Sequence, residues 1–206
     1  TYDGKPVGSF GSLGTFSFYF SHHLTTLEGG ITVTPHPLLA DTMRIQRSHG
    51  WIRDVEDRTP YERYGDFDPR FLFVDSGYNL RLNEVQAAIG LVQVPKLQGF
   101  VQKRRAAHDG LNEALGMYEY FRFQEEVEKG LSSCFGFNIT LNDAPFSARE
   151  IRTFLEEHGI ETRPIICGNL ALQPGMQKFP HRVIGALPNA TKVMQDGFSI
   201  GCHQDV

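Results

Sequence analysis

The sequence predicts an α/β chain in two parts, with strands and helices in the first and a small α+β domain in the second. Three observations carry that reading. Short runs rich in β-branched and aromatic residues, Phe16 to Phe20 and Ile31 to Val33, are followed by segments of helical spacing. Two capping boxes, Asn83 to Gln86 and Ser147 to Glu150, each open a stretch whose apolar residues recur at helical intervals. Between the boxes a long helical pattern runs to about Leu115 and divides the chain.

In order, the chain opens at Thr1 in a turn-rich segment containing Asp3-Gly4-Lys5-Pro6, Gly8, Gly11 and Gly14, and it reads as part of a longer protein. The two strands come next, then a helix from near Leu38 to Arg47. Residues 50–76 are charged and aromatic, with Pro60, Gly65 and Pro69, and predict a long surface loop; loops of that length inside a compact domain are usually functional or mobile. Val85, Ala88, Ile89 and Val92 line one face of the helix that Asn83 caps. Pro95 restarts or kinks a second helix, which carries Lys103-Arg104-Arg105 and has the length of a connector between domains. Strands over 135–141 and 162–166 flank the helix capped by Ser147, whose core face is Ile151, Phe154 and Leu155 and which Gly159 ends. The sequence stops soon after Cys202-His203-Gln204 with no closing helix, and it shows no internal repeat or low-complexity tract.

Bulk composition narrows the function. With 206 residues, 40% hydrophobic and 21% charged, the chain buries a core and is not disordered. A formal charge of -4, with one short basic group at 103–105, argues against nucleic acid as a partner. No apolar stretch approaches the ~20 residues that span a bilayer, and no charged-then-apolar leader is present. A soluble, cytoplasmic protein with no membrane partner is expected. Cys134, Cys167 and Cys202 are few, odd in number and far apart, so they read as buried reduced thiols and not as a disulfide framework. No metal is expected, because the eight histidines form no ligand cluster or HExxH spacing.

The segment Thr15 to Thr34, TFSFYFSHHLTTLEGGITVT, is the most informative, but spacing alone leaves it ambiguous. His22 and His23 could be surface polar residues, Ser17 a strand serine, and Asn79 an ordinary turn residue after Gly77-Tyr78. Gly8, Gly11 and Gly14 have the spacing of neither a P-loop nor a dinucleotide fold.

A resemblance goes further. GSFGSLGTFSFYFSHHLTTLEGG, RSHGW, SGYNLRLNEVQAAIGL and ETRPIICGNL, in this order, resemble the catalytic half of the DegT/DnrJ/EryC1/StrS family of sugar-modifying enzymes dependent on pyridoxal phosphate (PLP). The match covers nearly the whole chain. It implies a fold of the aspartate-aminotransferase type (fold type I): residues 1–95 as the C-terminal part of the cofactor-binding large domain, 96–116 as a connecting helix, and 117–206 as a truncated small domain. Family members hold PLP on a lysine whose place here is taken by His22. A lysine amine tethers the cofactor covalently, and imidazole cannot make that stable link. Imidazole does exchange protons near neutral pH.

Histidine at this position, Ser48-His49-Gly50-Trp51 and the stretch from Arg163-Pro164-Ile165 to Gly168-Asn169 are similar to the family branch that acts as 3-dehydratases of GDP-linked 4-keto-6-deoxy sugars in lipopolysaccharide biosynthesis. The resemblance therefore implies an untethered cofactor used as pyridoxamine phosphate, His22 as the catalytic acid–base residue, a nucleotide sugar as substrate, and glutamate as the donor that restores the amine. Related CDP-sugar enzymes carry an iron–sulfur cluster on cysteines, but residues 50–76 contain none, so no cluster is expected. By resemblance Ser17 bonds the cofactor phosphate, Asn79 reaches the phosphate bound to the neighbouring subunit of a homodimer, and His49 and Arg163 lie near substrate. Arg163 reads equally well as an edge-strand ion pair. The family's aspartate for the pyridine nitrogen and its stacking aromatic would precede Thr1, so this stretch alone is expected to be inactive. A conventional sugar aminotransferase and a catalytically inactive partner subunit are the alternatives; the first would need a lysine at position 22, and the nearest upstream lysine is Lys5.

Overall fold

A computed structural model describes residues 1–205. Its internal contacts divide the chain into two units, Thr1–Leu97 and the stretch from Gln98 onward.

In the first unit, β1 (Gly14–Ser17) and β2 (Gly30–Val33) pair antiparallel, with Gly14 opposite Val33 and Ser17 opposite Gly30. The strand expected over 16–20 stops at Ser17. There the serine Oγ accepts a hydrogen bond from the Tyr19 N–H (3.2 Å) and draws the chain into a turn, a local competition that Ser residues often win against a ladder. Helix α1 (Pro37–Gln46) starts on a proline, whose missing N–H costs nothing in the first turn. It buries Asp41 and Ile45.

Residues 50–76 are more ordered than a surface loop. They fold into 3₁₀ turns at Ile52–Asp54, Thr59–Tyr64 and Pro69–Phe71 around a small core of Ile45, Ile52, Val55 and Leu72. Asp41 clamps this segment to α1: its carboxylate accepts from the backbone N–H groups of Glu56 (3.0 Å) and Asp57 (3.2 Å) and pairs with Arg44 (2.7 Å). Although burial alone raises a carboxyl pKa, the hydrogen bonds from Glu56, Arg44 and Asp57 outweigh it and hold Asp41 below its ordinary value. Helix α2 (Glu84–Gln93) carries the expected capping box, with the Gln86 N–H donating to Asn83 Oδ1 and the Asn83 N–H donating to Gln86 Oε1. At Pro95 the chain tightens into one 3₁₀ turn, Val94–Lys96, before the next helix.

The second unit holds α3 (Leu97–Leu115) and a four-stranded antiparallel sheet of β3 (Phe121–Phe123), β4 (Gly136–Leu141), β5 (Thr162–Arg163) and β6 (Gly197–Gly201), in spatial order β3-β4-β6-β5. Phe137, Ile139 and Leu141 of β4 alternate inward, as the two-residue strand period requires, and join Phe198 and Cys202. Ala107, Leu111 and Leu115 of α3 pack against that core together with Ile151 and Leu155 of α4 (Ala148–Glu157). The Ser147 capping box opens α4 as expected. Gly159, at φ +81°, closes it: its N–H bonds the Glu156 carbonyl while Ile160 N–H bonds that of Leu155, the Schellman pattern.

Three elements went unread in the sequence: β3, α5 (Pro188–Asp196) and β6. Conversely, the strand expected over 162–166 shrinks to two residues, because Pro164 has no N–H for the ladder and Ile166 turns to φ +47°. The three cysteines are free, but only Cys202 is buried; Cys134 is half-buried, and Cys167 is exposed in the turn that follows Ile166. Arg104, in the basic group of α3, is 1% exposed and donates to the carbonyls of Cys134, Phe135 and Cys202 and to Gln204 Oε1. Desolvation holds its pKa below the usual arginine value. Among the described residues no helix is long and apolar enough to cross a membrane.

Candidate active site

The turn between β1 and β2 presents Ser17 and His22 on one braced segment. Phe18 N–H bonds the Gly29 carbonyl (2.9 Å), Thr26 N–H the Phe18 carbonyl (2.9 Å), and His22 N–H the Tyr19 carbonyl (3.0 Å). Support also comes from α2: Gln86 Nε2 and Thr26 Oγ1 both donate to the Glu28 carbonyl at 2.8 Å. Gln86 thus serves two purposes, capping its own helix and fixing the histidine turn. The His22 ring is half-buried and stands edge-on to Tyr19, with centroids 5.9 Å apart. Ser17 is exposed at the strand end.

A second grouping forms where α1 ends. Ser48 and Asn79 make an antiparallel bridge, Tyr78 N–H bonds the Gln46 carbonyl (2.7 Å), and His49 N–H bonds the Tyr78 carbonyl (2.8 Å). His49 sits at φ +61°, a left-handed conformation uncommon outside glycine, and its side chain is exposed. Gly50 follows at φ +85°, and any Cβ there would fall 1.7 Å from the Asp75 carbonyl oxygen, so only glycine fits. The Asn79 side chain is exposed, with Oδ1 accepting from Arg81 (3.4 Å). The structure therefore brings the backbone of His49 next to the Tyr78-Asn79 segment and sets Ser17 and His22 on the same β1–β2 turn. Beside them a cleft of about 630 Å³ opens between β2, α1 and the segment from Tyr78 to Leu82, lined in part by Ile31, Val33, Met43, Arg47 and Leu80. None of the five sequence-predicted site residues is among its lining.

Arg163 belongs to the second unit. It lies on β5, an edge strand, and pairs with Glu161, both side chains being 75% exposed. The ion-pair geometry is present, and at that exposure it is weak enough to exchange for another anion. Among the described residues no group of three or more metal-ligating side chains comes together.

The family model for DegT/DnrJ/EryC1/StrS aminotransferases matches residues 1–206. The chain belongs to this family. Among its relatives, GDP-4-keto-6-deoxy-D-mannose 3-dehydratase of Yersinia pseudotuberculosis is 35% identical, over 98% of this chain and 52% of the relative. The lipopolysaccharide biosynthesis protein RfbH of Salmonella typhimurium is 36% identical, over 98% and 49%. A crystal structure of GDP-4-keto-6-deoxymannose-3-dehydratase with a trapped PLP-glutamate geminal diamine superimposes with a TM-score of 0.85 at 31% identity, covering 99% of this chain and 54% of that one. The chain spans about half the length of the curated relatives it matches. These likenesses establish the aminotransferase-like fold expected from the resemblance.

Sequence reading missed one cluster in this unit: Trp51, Phe71 and Phe73, with Arg53 against the Trp51 ring. Only the density of aromatic and arginine residues over 50–76 signalled it, and a non-periodic segment gives no rule for which of them meet.

Proposed function

We propose that the whole protein is a 3-dehydratase of a GDP-linked 4-keto-6-deoxy sugar, working with pyridoxamine phosphate that glutamate regenerates. The reading fits its relatives, among them a 3-dehydratase, a lipopolysaccharide biosynthesis protein and a structure holding PLP and glutamate together. The observation that carries it is the absence of any lysine at the histidine turn. Residues 1–95 contain one lysine, Lys5, and it is pinned in a tight turn where Tyr2 and Lys5 exchange backbone hydrogen bonds of 2.8 and 3.0 Å.

The donor set suits the cofactor. The Ser17 hydroxyl, exposed at a strand end, can bond a phosphate oxygen. His22, braced from both sides, can take and return a proton without competing for a covalent link. When bound, the cofactor would supply an amine for the C4 ketone and a ring that holds the electron pair freed by loss of its proton and gives that pair back as the C3 hydroxyl leaves. For this chain, that leaves His22 to remove the cofactor proton and to deliver a proton to the departing hydroxyl, which goes as water. By the family resemblance Asn79, whose side chain is exposed, would bond the cofactor phosphate held by the neighbouring subunit, and the working unit would be a homodimer. His49, held rigidly in its left-handed turn, and Arg163, whose ion pair is exchangeable, act on substrate or on the glutamate carboxylate. The enzyme is cytoplasmic.

The test uses the whole protein with PLP, glutamate and GDP-4-keto-6-deoxymannose, and mass spectrometry of the sugar product. Loss of oxygen with no nitrogen gained, abolished in His22→Asn, is the expected result. A product that carries nitrogen would show an aminotransferase and sink the role given to His22.

A further inference from the structure

The loop that carries His22 stands on Thr26. The Thr26 N–H bonds the Phe18 carbonyl at 2.9 Å and closes the loop over 19–25. Thr26 is 2% exposed, and its hydroxyl donates to the Glu28 carbonyl at 2.8 Å. One wall of its surroundings is α2. A Cβ on Gly90 would lie 3.2 Å from Thr26 Cγ2, so the bare glycine leaves room for the threonine methyl group. Four residues earlier, on the same face of the helix, Gln86 Nε2 donates to the Glu28 carbonyl that Thr26 also bonds. The other atom of the Gln86 amide, Oε1, accepts the Asn83 N–H at 3.2 Å.

A helix cap alone would be served equally by glutamate or glutamine at this position. Only the amide has an N–H to give the Glu28 carbonyl. Nor are the helix contacts needed to close the loop, because Phe18 already closes it through Thr26 and Gly29. What they add is location. We propose that Gln86 is a positioning residue for His22: with Gly90 it seats Thr26, and through Thr26 it fixes where the His22 loop stands for proton transfer. The inference rests on the proton-transfer role proposed for His22 and names what holds that residue in place. Proton transfer needs heavy atoms within about 3.2 Å of each other, and a displacement of about 1 Å can cost on the order of 100-fold in rate.

The experiment reads amide hydrogen exchange and turnover in the whole protein. Gln86→Glu keeps the cap and loses the donor to Glu28. In this variant the Thr26 and His22 amides should exchange about fivefold faster, the factor that one lost hydrogen bond sets, while the α2 amides keep their protection. Its kcat for loss of the C3 hydroxyl should fall about tenfold or more, with KM for the nucleotide sugar unchanged. Gly90→Ala favours the helix but presses on the Thr26 methyl group, and it should lower kcat in the same way. Adding Thr26→Ser removes that methyl, keeps the hydroxyl and should restore most of the rate. Unchanged exchange at Thr26 and His22 in Gln86→Glu overturns the proposal, and so does an unchanged kcat, a rise in KM alone, or failure of Thr26→Ser to rescue Gly90→Ala. Because exchange is read without cofactor or substrate, a wild-type protein that makes an amino sugar refutes the proposed reaction while exchange still decides whether Gln86 holds the loop.

Discussion

The two units use similar strand residues to opposite effect. In the second unit, β4 alternates buried and half-buried positions, and Phe137 is fully enclosed. In the first, all four residues of β2 are exposed, with Ile31 at 47% and Val33 at 37%, and Phe16 across from Ile31 is 40% exposed. Both ribbons carry β-branched and aromatic residues, so composition does not separate them. Neighbours do. The β4 strand has partners on both edges and the apolar faces of α3 and α4 against its inner side, whereas β1 and β2 form a two-stranded sheet with no third strand among the described residues. Two strands are at best marginal in water without a third or a covering helix. Helix α2 repeats the contrast, with Val85, Leu91 and Val92 each more than half exposed and no residue buried. The first unit thus carries much of the proposed chemistry on a surface too apolar to stand alone, and the chain spans only about half the length of its relatives.

Separating the units gives the largest expected effect. Residues 96–206, which include all of α3 and the closed core, should unfold in a single cooperative thermal transition. Residues 1–95 should show none and should bind a hydrophobic dye. A cooperative transition in residues 1–95 would break the comparison.

Single substitutions sharpen it. Phe137→Ala empties a fully buried site and should cost about 3–5 kcal/mol in denaturant unfolding. Leu91→Ser, at 78% exposure, should stay within about 0.5 kcal/mol in this chain. In the whole protein the same serine should cost more than about 1 kcal/mol if the remaining half covers α2. Equal, small effects of Leu91→Ser in both would mean that the α2 face is free in the whole protein.

The contrast also explains what the sequence could disclose. Capping boxes at Asn83 and Ser147 are local hydrogen-bond patterns, so both helix starts were legible and the structure bears them out. Strand ends were less so. Nothing in the composition of 16–20 announces that Ser17 Oγ captures the Tyr19 N–H. The strand β6, Gly-Phe-Ser-Ile-Gly, has glycine at both ends and little intrinsic preference; pairing with β4 and β5 makes it a strand, and such tertiary information is outside any short window. At the candidate site, His22 is proposed from a substitution within a familiar segment. The Trp51 stack joins residues about 20 positions apart through an irregular segment and could be seen only once folded.

The smallest effect tests how the second unit holds its loop. Glu126 bonds Arg105 of α3 at 2.7 Å and accepts from the Ser132 N–H, so the segment between them is tied to the helix. The Arg105 hydrogen bond, with that of Ser132, lowers the Glu126 pKa to about 2 from an ordinary 4.5. A depressed folded value means the contribution is complete above about 4.5 and disappears as pH falls through about 2. With the carboxylate 38% exposed, solvent screening limits the effect to at most about 1 kcal/mol. Stability of residues 96–206 should therefore fall between these pH values, and Glu126→Gln should flatten that part of the curve while leaving the neutral-pH core intact. An unchanged acid slope in Glu126→Gln would show that the loop is held by the hydrophobic packing around Cys134 and not by charge.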